Sequence, residues 1–188
     1  MKIVVTEFMK KILVLVIVGI FSCFLINPSK ASLNNAAYWE NPKKITVYIP
    51  QNRRRIIVKE SFKAWKNSTN EEINFVFVDF PKNANIEIEF VSTIPNGKLK
   101  SGEILGLTAS GYTLDGRISK AKIQIPYKAQ NNIVLDDVTL GHVLIHEIGH
   151  ALGLGHSNNK KSIMYYSTNK NQSIQTEDIE NLKKIYNF

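Results

Sequence analysis

The twelve residues 146–157, HEIGHALGLGHS, combine three of the chain's four histidines with one glutamate and three glycines. In a helix, His146 and His150 are four residues apart and lie on one face, so both imidazoles can reach the same ion. Glu147 is turned about 100° around the helix axis from His146 and would lie beside that ion. A carboxylate in this position can take a proton from a water molecule next to a metal.

A third ligand is available a few residues further along. Gly153 can adopt a positive φ, which lets the chain turn at the end of the helix and bring His156 back towards the other two histidines. Three imidazoles leave one tetrahedral position open, which is the arrangement of a catalytic zinc rather than a structural one. Imidazole ligands favour zinc, although cobalt, nickel and copper also bind such sites. We therefore predict one catalytic zinc at this motif.

The pattern HExxHxxGxxH resembles that of the metzincin zinc peptidases, and Ser157 directly after the third histidine resembles their matrixin branch. The resemblance implies a zinc endopeptidase in which Glu147 is the general base and acid. It also implies a methionine-containing turn beneath the metal, and Met164 in SIMYY lies where that turn is expected. Looser matrixin landmarks are residues 38–39, Trp65, residues 106–109 and residues 177–186.

Two further residues near the motif leave alternatives open. Tyr166 follows Met164 by two positions, as in astacins and serralysins, whereas matrixins typically carry proline there. That likeness implies a hydroxyl that reaches the metal or the reacting oxyanion, and simple packing is the alternative. A second, structural zinc is not expected, because only His142 is unassigned and we expect it to pack or to line the cleft. Calcium binding stays open, without assigned ligands.

The N-terminal segment has the pattern of an export signal. Basic residues precede an uncharged apolar run over residues 12–26, and small residues follow up to Ala31. This pattern predicts a signal peptide over residues 1–31 and a secreted, extracellular domain over residues 32–188. A membrane anchor is the first alternative, although fifteen apolar residues fall short of the roughly 20 that span a bilayer. Lipidation of Cys23, the only cysteine, is the second.

The remaining chain shows no repeat, long linker or low-complexity tract, which favours a single domain. Segments with β-branched or alternating residues predict strands at residues 45–49, 75–80, 86–91, 105–114 and 121–125. Helical spacing predicts a helix after Asn52 that buries Val58, Phe62 and Trp65, a motif helix capped by Asp136 or Asp137, and a last helix capped by Thr176. We predict an α+β fold. The resemblance implies a metzincin-like zincin domain with a twisted mixed sheet, an active-site helix and a C-terminal helix.

The composition and charge of the chain indicate which classes of binding partner to expect. The chain is 44% hydrophobic and 21% charged, as in ordinary globular domains, and its formal net charge is +8. The basic residues are scattered and no nucleic-acid motif accompanies them, so we expect no nucleic-acid partner. We expect a monomer that acts on protein or peptide, with no membrane association unless the N-terminal segment anchors it.

Residues 105–110 of the predicted strand would pair with an extended substrate, as the family resemblance and edge-strand recognition both suggest. A noncatalytic zinc-stabilised binding module is the alternative function. Glu147 argues against that alternative, because a purely structural zinc site has no need for an adjacent carboxylate.

Overall fold

The computed structural model describes residues 36–92, 94, 98–99, 102–103, 105–128, 134–167 and 171–188. One compact unit covers Leu33–Phe188. The predicted signal peptide, residues 1–31 with Cys23, lies outside the described residues. Within the part of the chain that the structure describes, no helix is long and apolar enough to cross a membrane.

A five-stranded sheet forms one layer of the domain. Its strands are β1 (Ile45–Tyr48), β2 (Phe75–Val78), β3 (Ile86–Val91), β6 (Leu107–Tyr112) and β7 (Ile118–Pro126). Their order across the sheet is β2-β1-β3-β7-β6. The first four in the sheet order run parallel, and β6 pairs antiparallel with β7. A separate antiparallel pair consists of β4 (Lys98–Leu99) and β5 (Gly102–Glu103). In this sheet, β6 is the outer strand on one side.

Three α-helices complete the described fold: α1 (Arg55–Ser68), α2 (Asp137–Ala151) and α3 (Thr176–Tyr186). Two short 3-10 helices, Pro42–Lys44 and Pro81–Asn83, precede β1 and β3. Val58, Phe62 and Trp65 are each fully buried, which confirms the predicted inner face of α1. In β3, Ile86 and Ile88 are buried and alternate with more exposed glutamates, as the sequence pattern predicts. The mixed sheet with its helices confirms the predicted α+β fold.

The helix starts differ in part from those predicted. Asp136, one of the two predicted candidates, caps α2 by accepting a hydrogen bond of 2.8 Å from the backbone of Thr139. Thr176 was the predicted cap of α3, but the cap is Gln175. The reason is a reciprocal pair of bonds, in which the Gln175 side chain accepts from the backbone of Asp178 and the Asp178 carboxylate accepts from the Gln175 backbone.

α1 begins two residues later than predicted, because Asn52 was the predicted cap. Its N-cap is Arg54, and the Asn52 side chain accepts a hydrogen bond of 2.9 Å from the Arg54 backbone. Asn52 therefore stabilises the turn that leads into the helix instead of capping its first residue.

Side chains from both ends of the domain fix the position of α2. The indole of Trp39 donates to the carbonyl oxygen of Ala151, and the indole of Trp65 donates to that of Ile145, each at 2.8 Å. The hydroxyl of Tyr186 donates to the carbonyl oxygen of Leu152 at 3.0 Å. Hydrogen bonds of this kind are costly to break, so the helix that carries the histidines is held at its middle and at its C-terminal end.

Candidate metal centre and active site

The three histidines come from α2 and from the loop that follows it. α2 ends at Ala151, and Gly153 then turns the chain with φ of +94°. A Cβ on Gly153 would lie only 2.1 Å from the carbonyl oxygen of Ala37. Both the positive φ and this close approach require glycine. The turn returns the chain so that His156 faces His146 and His150, as the sequence predicted.

The imidazoles point their Nε2 atoms at one another. The Nε2 of His150 lies 3.0 Å from that of His146 and 3.2 Å from that of His156. The Nδ1 atoms of two rings are already bonded, since His146 donates to the carbonyl oxygen of Ile163 at 2.7 Å and His150 to that of Leu154 at 2.9 Å. In the neutral rings, these two Nε2 atoms therefore carry lone pairs, which repel one another unless a cation lies between them.

The donor set fits zinc. Two nitrogens each bonded to zinc at about 2.0–2.1 Å in tetrahedral geometry lie about 3.3 Å apart, close to the separations of these Nε2 atoms. Three imidazoles also leave the fourth position free for water or substrate. Among the described residues, this is the one group of three or more histidine, cysteine or acidic side chains arranged to hold a metal. His146, His150 and His156 could thus hold one zinc ion.

Electrostatics keep these rings neutral. Burial lowers the pKa of His146 to about 4, and the neighbouring His150 adds to the effect. Burial also lowers the pKa of His150 to about 4, although its bond to the Leu154 carbonyl opposes the shift. The pKa of His156 is lowered by burial as well. Because neutral imidazole is the form that binds metal, the site is ready for a cation at neutral pH.

Glu147 is buried next to the histidines and touches β6. Its carboxylate oxygen Oε2 accepts a hydrogen bond of 2.7 Å from the hydroxyl of Thr108. Burial raises the pKa of Glu147, and the bond from Thr108 opposes that rise. A carboxyl group that holds its proton more strongly than usual suits a role in which a proton is taken up and then released.

The segment around Met164 packs directly beneath α2. Met164 is buried, and its sulfur lies against Gly149. The Ser162 hydroxyl accepts from the Met164 backbone at 2.8 Å and donates to the buried carboxylate of Asp178 at 2.6 Å. This turn supplies the Ile163 carbonyl that holds His146, so its shape determines how that ring is oriented. The role of Met164 as the methionine of a zinc-supporting turn stays a prediction.

Tyr166 and His142 lie outside the histidine cluster. The Tyr166 side chain is 62% exposed and its ring contacts that of Tyr165, with the ring centres 4.4 Å apart. A reach from Tyr166 to the metal or to an oxyanion therefore stays a prediction. His142 is half-buried on α2, one turn before His146. Calcium binding also stays a prediction.

Sequence reasoning missed the partners of the key side chains. It placed Thr108 on a substrate-binding strand, but the bond from Thr108 to Glu147 crosses 39 positions of the chain. Strand alternation was the one available signal, because it puts Thr108 on the inner face of β6. Nothing in the sequence indicated that the carbonyls of Ile163 and Leu154 would hold the imidazoles.

Comparison with known proteins agrees with this geometry. The family model described as Matrixin matches residues 34–187. The chain is 26% identical over 160 residues to Metalloendoproteinase 4-MMP of Arabidopsis thaliana, which covers 79% of this chain and 44% of the relative. It is 28% identical over 151 residues to Metalloendoproteinase 1-MMP of the same plant, covering 74% and 39%. A putative matrix metalloproteinase of Trichoplusia ni ascovirus 2c is 30% identical over 142 residues, covering 66% and 27%. The chain spans less than half the length of these relatives. The family model, however, matches most of the length of this chain, and the chain therefore belongs to the matrixin family.

Proposed function

We propose that this chain is a secreted zinc-dependent endopeptidase. The observation that carries the proposal is the convergence of three histidine Nε2 atoms beside the buried carboxylate of Glu147, which the same helix supplies. Membership of the matrixin family supports it, and so do the relatives, whose names describe metalloendoproteinases. These names do not favour the alternative of a noncatalytic binding module.

Each part of the site has a role in peptide hydrolysis. When bound, zinc supplies a Lewis acid that lowers the pKa of a water molecule and polarises the substrate carbonyl. His146, His150 and His156 would hold the ion, and the bonds of the first two to backbone carbonyls keep their rings aimed at it. Glu147 takes the proton of the attacking water and then delivers it to the leaving amine.

The substrate is a protein or peptide that binds in extended form along β6. This strand pairs with β7 on one side and is the outer strand of the sheet on the other. Backbone groups along an outer strand can add one more extended segment. We further propose that the chain acts as a monomer without nucleic acid, and that residues 1–31 direct its export.

The experiment combines proteolysis with zinc analysis. The full chain, purified with zinc, is incubated with an unfolded protein and a peptide library, with and without a chelator. Glu147→Gln keeps the shape of the side chain but removes the base, so it should abolish cleavage while zinc content and fold are retained. Glu180→Gln makes the same change at an exposed position of α3 and serves as the matched control. Zinc binding without cleavage of any substrate, or full activity in Glu147→Gln, would contradict the proposal.

A further inference from the structure

We propose that Thr108 is a positioning residue that holds the carboxylate of Glu147 in the orientation required for proton transfer. The proposal rests on the proposed function, because it assigns Thr108 a role in the chemistry of that same site. Thr108 lies on β6 and Glu147 on α2, so one hydrogen bond links the substrate-binding strand to the general base.

The Thr108 hydroxyl has two acceptors within reach, both on Glu147. Oε2 lies at 2.7 Å and the backbone carbonyl oxygen at 2.9 Å. A hydroxyl has a single proton to donate, and a bond to an ionised oxygen is about twice as strong as one to a neutral oxygen. The carbonyl is also inside α2, where the helix offers it a backbone donor. The hydroxyl proton therefore goes to Oε2 when Glu147 is ionised.

The donor is itself held firmly. Thr108 is β-branched, which restricts its side-chain rotation, and its backbone pairs with Ile123 of β7. Two positions earlier on the same chain, a Cβ on Gly106 would lie 2.7 Å from Cγ of Glu147. The chain thus approaches the glutamate at two points. One carboxylate oxygen is bonded to Thr108, and we assign the proton exchange to the other, Oε1, which would lie 2.8 Å from a Cβ on Gly106.

Position matters here because a glutamate side chain has three rotatable bonds. Without a fixed partner, the carboxylate would sample several orientations, and only some would bring an oxygen within reach of the attacking water. A displacement of about 1 Å of a reacting group can lower a rate by roughly 100-fold. The same strand would also bind the substrate backbone, so the bond from Thr108 aligns the base with the peptide that lies along β6.

Kinetics of two Thr108 variants of the full, zinc-loaded chain test the proposal. Thr108→Val keeps the shape and removes the hydroxyl, and we expect kcat to fall about 10- to 100-fold with KM unchanged within about twofold. Thr108→Ser restores the hydroxyl and should recover most of the lost kcat. Zinc affinity should be the same in all three proteins, since the acceptors of the Thr108 hydroxyl are on Glu147 and not on a histidine. In crystals of the zinc-loaded proteins, the Glu147 carboxylate should be displaced in Thr108→Val and not in Thr108→Ser.

Thr46→Val is the matched control. Thr46 is on β1, away from the histidines, and its hydroxyl donates to the side chain of Asn85 at 2.7 Å. The variant loses this hydroxyl, so its stability should fall while its kcat is unchanged. Parent kcat in Thr108→Val would overturn the Thr108 proposal and leave the proposed function standing. So would an equal loss of kcat in Thr108→Ser and Thr108→Val. An inactive parent that binds zinc would overturn the proposed function, and the Thr108 proposal with it.

Discussion

The sulfur of Met164 fills the space where a side chain on Gly149 would stand. A Cβ on Gly149 would lie 2.3 Å from that sulfur and 3.0 Å from the ring of Trp65. Gly149 precedes His150 directly and follows His146 by three residues, so the turn and α2 meet at the histidine motif itself. An atom added there must displace the Met164 side chain, the Trp65 ring or the helix itself.

Gly149→Ala should therefore destabilise the protein, although alanine favours helices. Overpacking a closed interior typically costs about 1–3 kcal/mol, which exceeds the gain of about 1 kcal/mol in helix propensity. We expect the free energy of unfolding, measured by denaturant titration of the zinc-free protein, to fall by up to about 2 kcal/mol.

Gly141→Ala provides the control on the same helix. The nearest atom to a Cβ at Gly141 is Cγ2 of Ile57 at 4.0 Å, an ordinary van der Waals distance. We expect this variant to be as stable as the parent or more stable by up to about 1 kcal/mol. If both alanines raised the stability equally, the close packing of Met164 against Gly149 would be wrong.

Gly153→Ala should weaken both folding and zinc binding. Its φ of +94° is unfavourable for alanine, and the added Cβ would meet the Ala37 carbonyl oxygen at 2.1 Å. The left-handed conformation alone costs an L-residue about 1–2 kcal/mol, so stability should fall by at least that amount. The displaced loop carries His156, so zinc affinity in competition with a chromogenic chelator should fall as well.

Gly155→Ala tests whether this effect belongs to the loop in general. Gly155 has no positive φ and no atom within 4 Å of an added Cβ. It lies only two residues from Gly153, and we expect it to keep the stability and zinc affinity of the parent. A loss as large as that in Gly153→Ala would contradict the argument.

The features that were predicted correctly from the sequence are those that depend on the spacing of nearby residues along a helix. The positions of His146 and His150 on one helical face, and of Val58, Phe62 and Trp65 on another helix, follow from 3.6 residues per turn. These relationships depend on a few neighbouring residues, and the structure shows the histidines together and the three apolar residues buried.

Contacts between distant segments could not be read in this way. His146 bonds the Ile163 carbonyl 17 positions away, and Glu147 bonds Thr108 39 positions away. Both depend on how a turn and a sheet strand pack against α2, and backbone carbonyls leave no trace in the residue types. The prediction of Thr176 as the cap of α3 failed for a different reason, because the reciprocal pair of Gln175 and Asp178, three residues apart, is a local signal that the sequence reasoning missed.

Asp136→Ala should lower stability in a pH-dependent manner. Hydrogen bonds from Thr139 lower the pKa of Asp136 below its ordinary value of 3.8. A carboxylate whose pKa is lower in the folded state stabilises the fold above its unfolded pKa, and that contribution is lost as the pH falls through the folded pKa. The difference in Tm between parent and variant should therefore be largest near pH 7 and shrink below about pH 4.

Thermal unfolding monitored by circular dichroism between pH 3 and pH 7 measures this difference. Asp137→Ala removes the adjacent carboxylate, which is in the first turn of α2 but is not its cap, and should lower the Tm at pH 7 by less. A Tm difference for Asp136→Ala that stays constant across the whole range would show that the ionised cap is not what stabilises this helix.

Comparing zinc affinity in His156→Ala and in His142→Ala should distinguish the three predicted metal ligands from the fourth histidine. The Nε2 of His156 lies 3.2 Å from that of His150, and its removal leaves two imidazoles to hold the ion. Loss of residues that merely support metal ligands costs about 10- to 100-fold in affinity, so loss of a ligand should cost at least about 100-fold.

His142→Ala makes the same substitution one turn before His146 on α2 and should leave zinc affinity unchanged. Free zinc at about 1,000 times its Kd stabilises a protein by roughly 4 kcal/mol, so a chelator should lower the Tm of the parent and of His142→Ala, and lower that of His156→Ala much less. Equal zinc affinity in His156→Ala and the parent, or a loss in His142→Ala as large as in His156→Ala, would require a different set of ligands.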